Sequence, residues 1–318
     1  MYGAPLYGIK TGFNQAFVID TPTRNRLVTQ DPKSAELLVP LLRGENVKRW
    51  RIEPDGLFLI NTSKGSVDID AYPAIRDWLL PFKPQLESRA TKQEWFELQQ
   101  AQLAYQTAFA RPKVIWPQFI RQPEFCLDAK GLFPINKCYL FSTDDFALVS
   151  LLNSKCLWFC FRSISVIKSG GFHEATAQHV GPLPYPDLSA DAQDQLIKLG
   201  KSCTKAGADC FDVQSDVRHR ILDLAPPDRT RLSRKLNEWW TLDFAAFRDE
   251  VKRAFRTEIP VQERGEWEAY LAKHAAEVRT LDAEIEQAER EIDAIVYRLF
   301  ELTPDEIALL EASIAGQY

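Results

Sequence analysis

"YGIKTGFNQAFVID", residues 7–20, sets two glycines around Ile9-Lys10-Thr11 and then runs into an apolar stretch. A Walker loop needs four residues between its glycines, then Lys and Ser/Thr opening a helix. Here three residues separate Gly8 and Gly12, and Phe13-Asn14 follows. The dinucleotide fingerprint G-x-G-x-x-G is absent from the chain. The segment 16–20, "AFVID", is rich in strand formers, so the glycines predict a strand–turn–strand. The turn, not a nucleotide loop, is what the rest of the fold must accommodate.

Working outward, 7–70 reads as short strands and turns, with "AFVID" and "LFLIN" as strands and "SAELLVPLLRG" as a helical or loop piece between them. Residues 72–109 read as helical, interrupted by prolines. "PKVIWPQF" and "EFCLD" form neighbouring strands, and a turn at 128–131 leads to "INKCYLF". "DDFALVSLLNSKCLWFCFRSI" reads as one helix capped by Asp144 or Thr143. The proline-rich "GPLPYPD", 181–187, marks a domain boundary. Beyond it the chain is helical throughout: 189–205, 208–224, 228–258, 264–300 and 304–316. Apolar residues from Trp267 to Leu299 recur four and three apart, a heptad seam that predicts lengthwise, coiled-coil-like packing. Thr303, Pro304 and Glu306 spell a capping box for the last helix. The fold class is therefore α+β: a mixed β-sheet domain with flanking helices over 1–186, then an all-α scaffold over 187–318 with its heptad helix at 264–300.

Composition excludes several classes. No apolar run approaches the ~20 residues of a bilayer span, and no signal-peptide pattern opens the chain. A cytoplasmic protein is the simplest expectation. The six cysteines form no C-x-x-C pair, and Cys156 and Cys160 fall in an apolar helix as buried thiols. No metal site and no disulfide framework is expected. Residues 1–185 hold 21 Lys/Arg against 17 Asp/Glu, whereas 186–318 hold 18 against 27. A basic half joined to an acidic half makes the first the better match for a polyanion.

No catalytic centre stands out. An amino-methyltransferase needs an [N/D/S]-P-P-[F/Y] loop, and "APPD" at 225–228 lacks both ends of it. A metal-dependent nuclease needs clustered acids and a lysine; Pro54-Asp55 followed by Thr62-Ser63-Lys64 lacks the second acid. No Ser/His/Asp or Cys/His set has an informative spacing.

Five segments in order, "YGIKTGFNQAFVID", "LLVPLLRGENVKRW", "ARPKVIWPQFIRQPEFCLDAKG", "LVSLLNSKCLWFCFRSIS" and "VGPLPYPDLS", resemble the target-recognition half of TaqI-type adenine-N6 DNA methyltransferases. They are closer still to single-chain restriction-modification enzymes and phage-defence methyltransferases that share that half. The helical tail, in "WWTLDFAAFRDEV", "WEAYL" and "IDAIVYRLFELTPDEIALLE", is similar too. The resemblance implies a sequence-specific DNA-recognition module. Its partners would be double-stranded DNA and a methyltransferase catalytic domain or subunit, with S-adenosylmethionine bound there and no cofactor in this chain. A helical interaction scaffold without DNA reading is the alternative.

A DNA reader needs cations for phosphates and forked polar groups for base edges. Candidates are Lys10, Thr11 and Asn14 on the opening turn, and Arg43, Lys48, Arg49 and Arg51 in "RGENVKRWR". Arg121 and Gln122 follow the "WPQFI" strand, and Lys130 sits at a turn tip. Lys168, Phe172 and His173 in "VIKSGGFHEAT" are the favoured base contacts. The strip at 43–51 discriminates the two readings: carboxylates neutralising it favour the scaffold.

Overall fold

The computed structural model describes residues 3–316. The chain forms two compact units, Met1–Gly200 with Ile292–Tyr318, and Lys201–Glu291. In the first, one antiparallel sheet has the order Leu6–Tyr7, Cys138–Phe141, Lys113–Pro117, Cys126–Asp128. A second has the order Phe133–Pro134, Leu38–Leu42, Leu57–Ile60, Val18–Asp20, parallel only at its first pair. Phe119–Ile120, Phe172–Glu174 and Ile167–Lys168 make a small third sheet, and Val47–Lys48 pairs with Arg51–Ile52 as a ribbon. With the helices, this is the α+β architecture expected from the sequence.

The opening stretch stitches the two larger sheets together. Tyr7 lies in the first, Ile9 bridges to Ile135, and Val18–Asp20 enters the second. Ile9 accepts from the Asn136 N–H at 2.6 Å and donates to the Pro134 carbonyl at 2.8 Å. This pairing explains Gly8: a Cβ there would stand 2.3 Å from the Ile135 carbonyl oxygen. Gly12 takes φ +79°, the turn-forming conformation. Gly8→Ala is expected to destabilise the chain by about 2 kcal/mol or more, because backbone must move. A urea midpoint equal to that of the parent would show that the Ile135 strand yields freely.

Several local expectations give way to tertiary context. Gly12 leads into a helical turn, Asn14–Phe17, and only Val18–Asp20 of "AFVID" is strand. Asp20 then accepts from the Thr23 N–H at 2.9 Å and caps a helix, Thr21–Gln30. "LLVPLL" supplies the strand Leu38–Leu42, whose three leucines the second sheet buries while Pro40 stays exposed. Within 72–109, Pro73–Leu79 and Lys83–Glu87 are helical, but the apolar run after them is not, beyond a 3₁₀ turn at Gln106–Ala108. There side chains satisfy the backbone that a helix ladder would otherwise serve. Arg89 donates to the carbonyls of Leu86, Thr11, Glu97 and Trp95, and Glu97 accepts from the N–H groups of Gly65 and Glu94.

"DDFALVSLLNSKCLWFCFRSI" is two helices, Phe146–Asn153 and Lys155–Ile164, capped by Asp145 and by Ser154. The second packs against Pro304–Ile314, held by Lys155 Nζ to Glu311 at 2.7 Å, while the Lys155 N–H donates to Asp293 of the long helix before it at 2.8 Å. Residues 292–316 thus belong to the first unit, where the division at 186/187 assigns them to the helical half. The capping box of Thr303 and Glu306 forms as the sequence spells it.

In the second unit, parts of two long helices, Ala190–Leu222 and Arg264–Leu299, pack with Phe244–Phe255. The break expected near 206 is absent, and 228–258 is three short pieces: Arg234–Asn237, a 3₁₀ turn Trp239–Thr241, and Phe244–Phe255. Leu271 and Val278 of the heptad seam are buried with Cys210, Val217 and Ile221. His274 meets Tyr270 edge to face with ring centres 4.5 Å apart. Among the described residues no helix is long and apolar enough to cross a membrane, and no group of three potential metal ligands occurs. The six cysteines are free.

Candidate nucleic-acid interface

A cleft of about 500 Å³ opens in the first unit where the opening turn, the 47–52 ribbon and the small third sheet meet. Of the sequence candidates, Asn14, Arg43, Lys48 and Phe172 line it. Arg121 lies over the Phe172 ring at 4.1 Å, which holds a flat guanidinium beside the mouth. Polar wall residues that escaped the sequence reading include Gln118, Glu124, Asn136 and Lys137. Lys137 had a readable signal, the Asn-Lys pair between two strand segments. It occupies φ +75°, a conformation a lysine takes only when its surroundings impose it. They do: its N–H donates to the Tyr7 hydroxyl at 3.3 Å and its carbonyl accepts from the Gln118 N–H at 2.8 Å. The side chain is left exposed at the cleft.

The basic strip is largely balanced by its neighbours. Arg43 is engaged by Asp55 and, at 2.6 Å, by Glu45. Arg51 pairs with Glu53 at 2.7 Å. Arg49 donates to the Asn153 carbonyl at 2.7 Å. Lys48 has no ion pair within 4 Å among the described residues and acts electrostatically on Glu124. Burial pushes the Glu124 carboxyl above its ordinary range, and Lys48 opposes the shift.

The remaining candidates scatter. Thr11 is buried, its hydroxyl 2.6 Å from Asn14 Oδ1 and its carbonyl bound by Arg89, so it braces the turn instead of facing outward. Lys10 is exposed, but its N–H is used by the Gln100 carbonyl. Gln122 and Lys130 are exposed and stand outside the cleft lining. Lys168 pairs at 3.0 Å with Glu174, which also accepts from Gln118 at 3.0 Å. Those two donors hold the Glu174 carboxyl below its ordinary range.

His173, favoured from the sequence as a base contact, points into the core. It is 7% exposed, packs against Trp158 and Phe161, and shares a hydrogen bond of 2.7 Å with the Ser165 hydroxyl. Burial, aided by the Arg162 charge, pushes its imidazolium below the ordinary range and favours the neutral ring. Strand alternation is the reason: His173 and Phe172 face opposite sides, and Phe172 takes the cleft.

Comparisons with known proteins fit this geometry. Residues 39–185 match the TaqI-like C-terminal specificity domain, and 189–296 match a domain of unknown function, DUF8810. The two matches meet at the proline cluster. No curated protein matches. The solved structure of the Type IIL restriction-modification enzyme MmeI in complex with DNA is similar over 98% of this chain, with a TM-score of 0.59 and 12% identity. The chain covers 35% of that enzyme's length. The likeness to the target-recognition half of restriction-modification enzymes therefore stands, carried in sequence by the specificity domain at 39–185 and in fold by nearly the whole chain.

Proposed function

We propose that this chain reads a short sequence in double-stranded DNA on behalf of an adenine-specific methyltransferase or restriction-modification enzyme. The observation that carries the reading is the position of the cleft. Arg43, Lys48, Gln118 and Lys137, which line it, all fall inside the specificity-domain match. Exposed cations at the rim, Lys137 and Arg121, take phosphates, and the polar side chains deeper in the wall meet base edges. The catalytic part, with its S-adenosylmethionine, belongs to a separate domain or subunit that extrudes the adenine and methylates its exocyclic amine.

The scaffold reading has one observation in its favour, the pairing of Arg43 and Arg51 with carboxylates. A salt titration separates the two. As a DNA reader, the chain binds a random duplex pool with a log K that falls linearly and steeply with log salt. Association that is indifferent to salt, or no duplex binding at all, would favour the scaffold.

A further inference from the structure

Glu124 is the side chain in the cleft that a phosphate-binding surface has no use for. Nearby carboxylates have cations of their own: Glu45 and Asp55 on Arg43, Glu53 on Arg51, Glu174 on Lys168. Glu124 is half-buried, and among the described residues it accepts no hydrogen bond and makes no ion pair within 4 Å. A carboxylate kept in that state costs free energy until a donor arrives. Phosphates repel it. The donors a duplex offers are the exocyclic amines in the major groove, cytosine N4 and adenine N6.

Lys48, also in the cleft wall, narrows the choice. An ammonium prefers guanine, which presents O6 and N7 together, over thymine, which presents one oxygen beside a methyl group. A C·G pair thus sets an amine next to two acceptors, matching a carboxylate and an ammonium in the same cleft. The backbone also holds both residues to one support. Phe125, next to Glu124, exchanges two hydrogen bonds with the buried Asn153 side chain, at 3.2 and 2.8 Å. The ribbon turn after Lys48 is tied there too, by the Trp50 N–H to the Phe125 carbonyl at 3.2 Å and by Arg49 to the Asn153 carbonyl at 2.7 Å. Such shared anchoring presets two groups for one target.

We propose that Glu124 and Lys48 read one C·G base pair of the bound duplex, Glu124 accepting from the cytosine N4 amine and Lys48 donating to O6 and N7 of the paired guanine. This rests on the DNA-reading function proposed above.

The test is selection from a random duplex pool with the purified chain at near-physiological salt, in parallel for the parent, Glu124→Gln and Lys48→Met. The parent should enrich a motif containing C·G. Both variants should lose about tenfold or more of the preference at the same base pair and keep the rest of the motif. Retention of the other positions shows that the variants are folded. Variants that enrich the parent motif unchanged, or blur two different positions, overturn the pairing while leaving DNA reading intact. A parent that enriches no motif while its thermal unfolding is cooperative overturns the DNA-reading function and this assignment with it.

Discussion

Lys113→Met should remove about 3–5 kcal/mol of folding stability, a large share of what a domain possesses. Lys113 and Asp128 are 0% and 1% exposed and face each other as a buried ion pair across adjacent strands of the first sheet. The ammonium also donates to the Phe109 carbonyl at 2.6 Å. Asp128 accepts from the Lys130 and Leu132 N–H groups, each at 2.8 Å, and so shapes the turn that follows. Burial pulls the Lys113 ammonium below its ordinary range, while Asp128 holds it up. Removing only the cation leaves a buried carboxylate with no counter-charge. The double variant Lys113→Met with Asp128→Asn should recover a substantial part of the loss, because the amide is neutral and still accepts from the turn. Urea unfolding of both variants checks this. A single variant within about 1 kcal/mol of the parent would show that the pair is not a strut of the sheet.

Reversing charge at the cleft rim has the second large expected effect. The double variant Lys137→Glu with Arg121→Glu should weaken duplex binding by about two orders of magnitude. It should also make the slope of log K against log salt shallower by about 2, one for each phosphate that no longer has a cation beside it. Both side chains are exposed, so folding should be unaffected. Binding isotherms at several salt concentrations measure both quantities. An unchanged slope with unchanged affinity would place the DNA on another face. Lys10 and Lys130, exposed but outside the cleft, serve as controls whose reversal should change little.

The sequence by itself determined the order of parts. Gly12 marks the turn, the proline cluster marks where one family match ends and the other begins, and the heptad spacing fixes the helix 264–299. These signals are local: a positive φ, a missing N–H or a repeating apolar face acts within a few residues. The helix caps at Thr303 and Glu306 were legible for the same reason. Tertiary structure alone decided that the run after residue 90 is not helical, because Lys10, Thr11 and Thr62, far back in the chain, pair with the backbone of Phe96, Leu98, Gln99 and Gln100. It alone turned His173 inward and Phe172 toward the cleft, and engaged Arg43 with Asp55, twelve residues along the chain. The cleft itself joins residues 14, 48, 124, 137 and 172, which approach only when separate strands pair. Spacing along a chain encodes one element's face; which faces of different elements meet is set by packing and by which charges find partners.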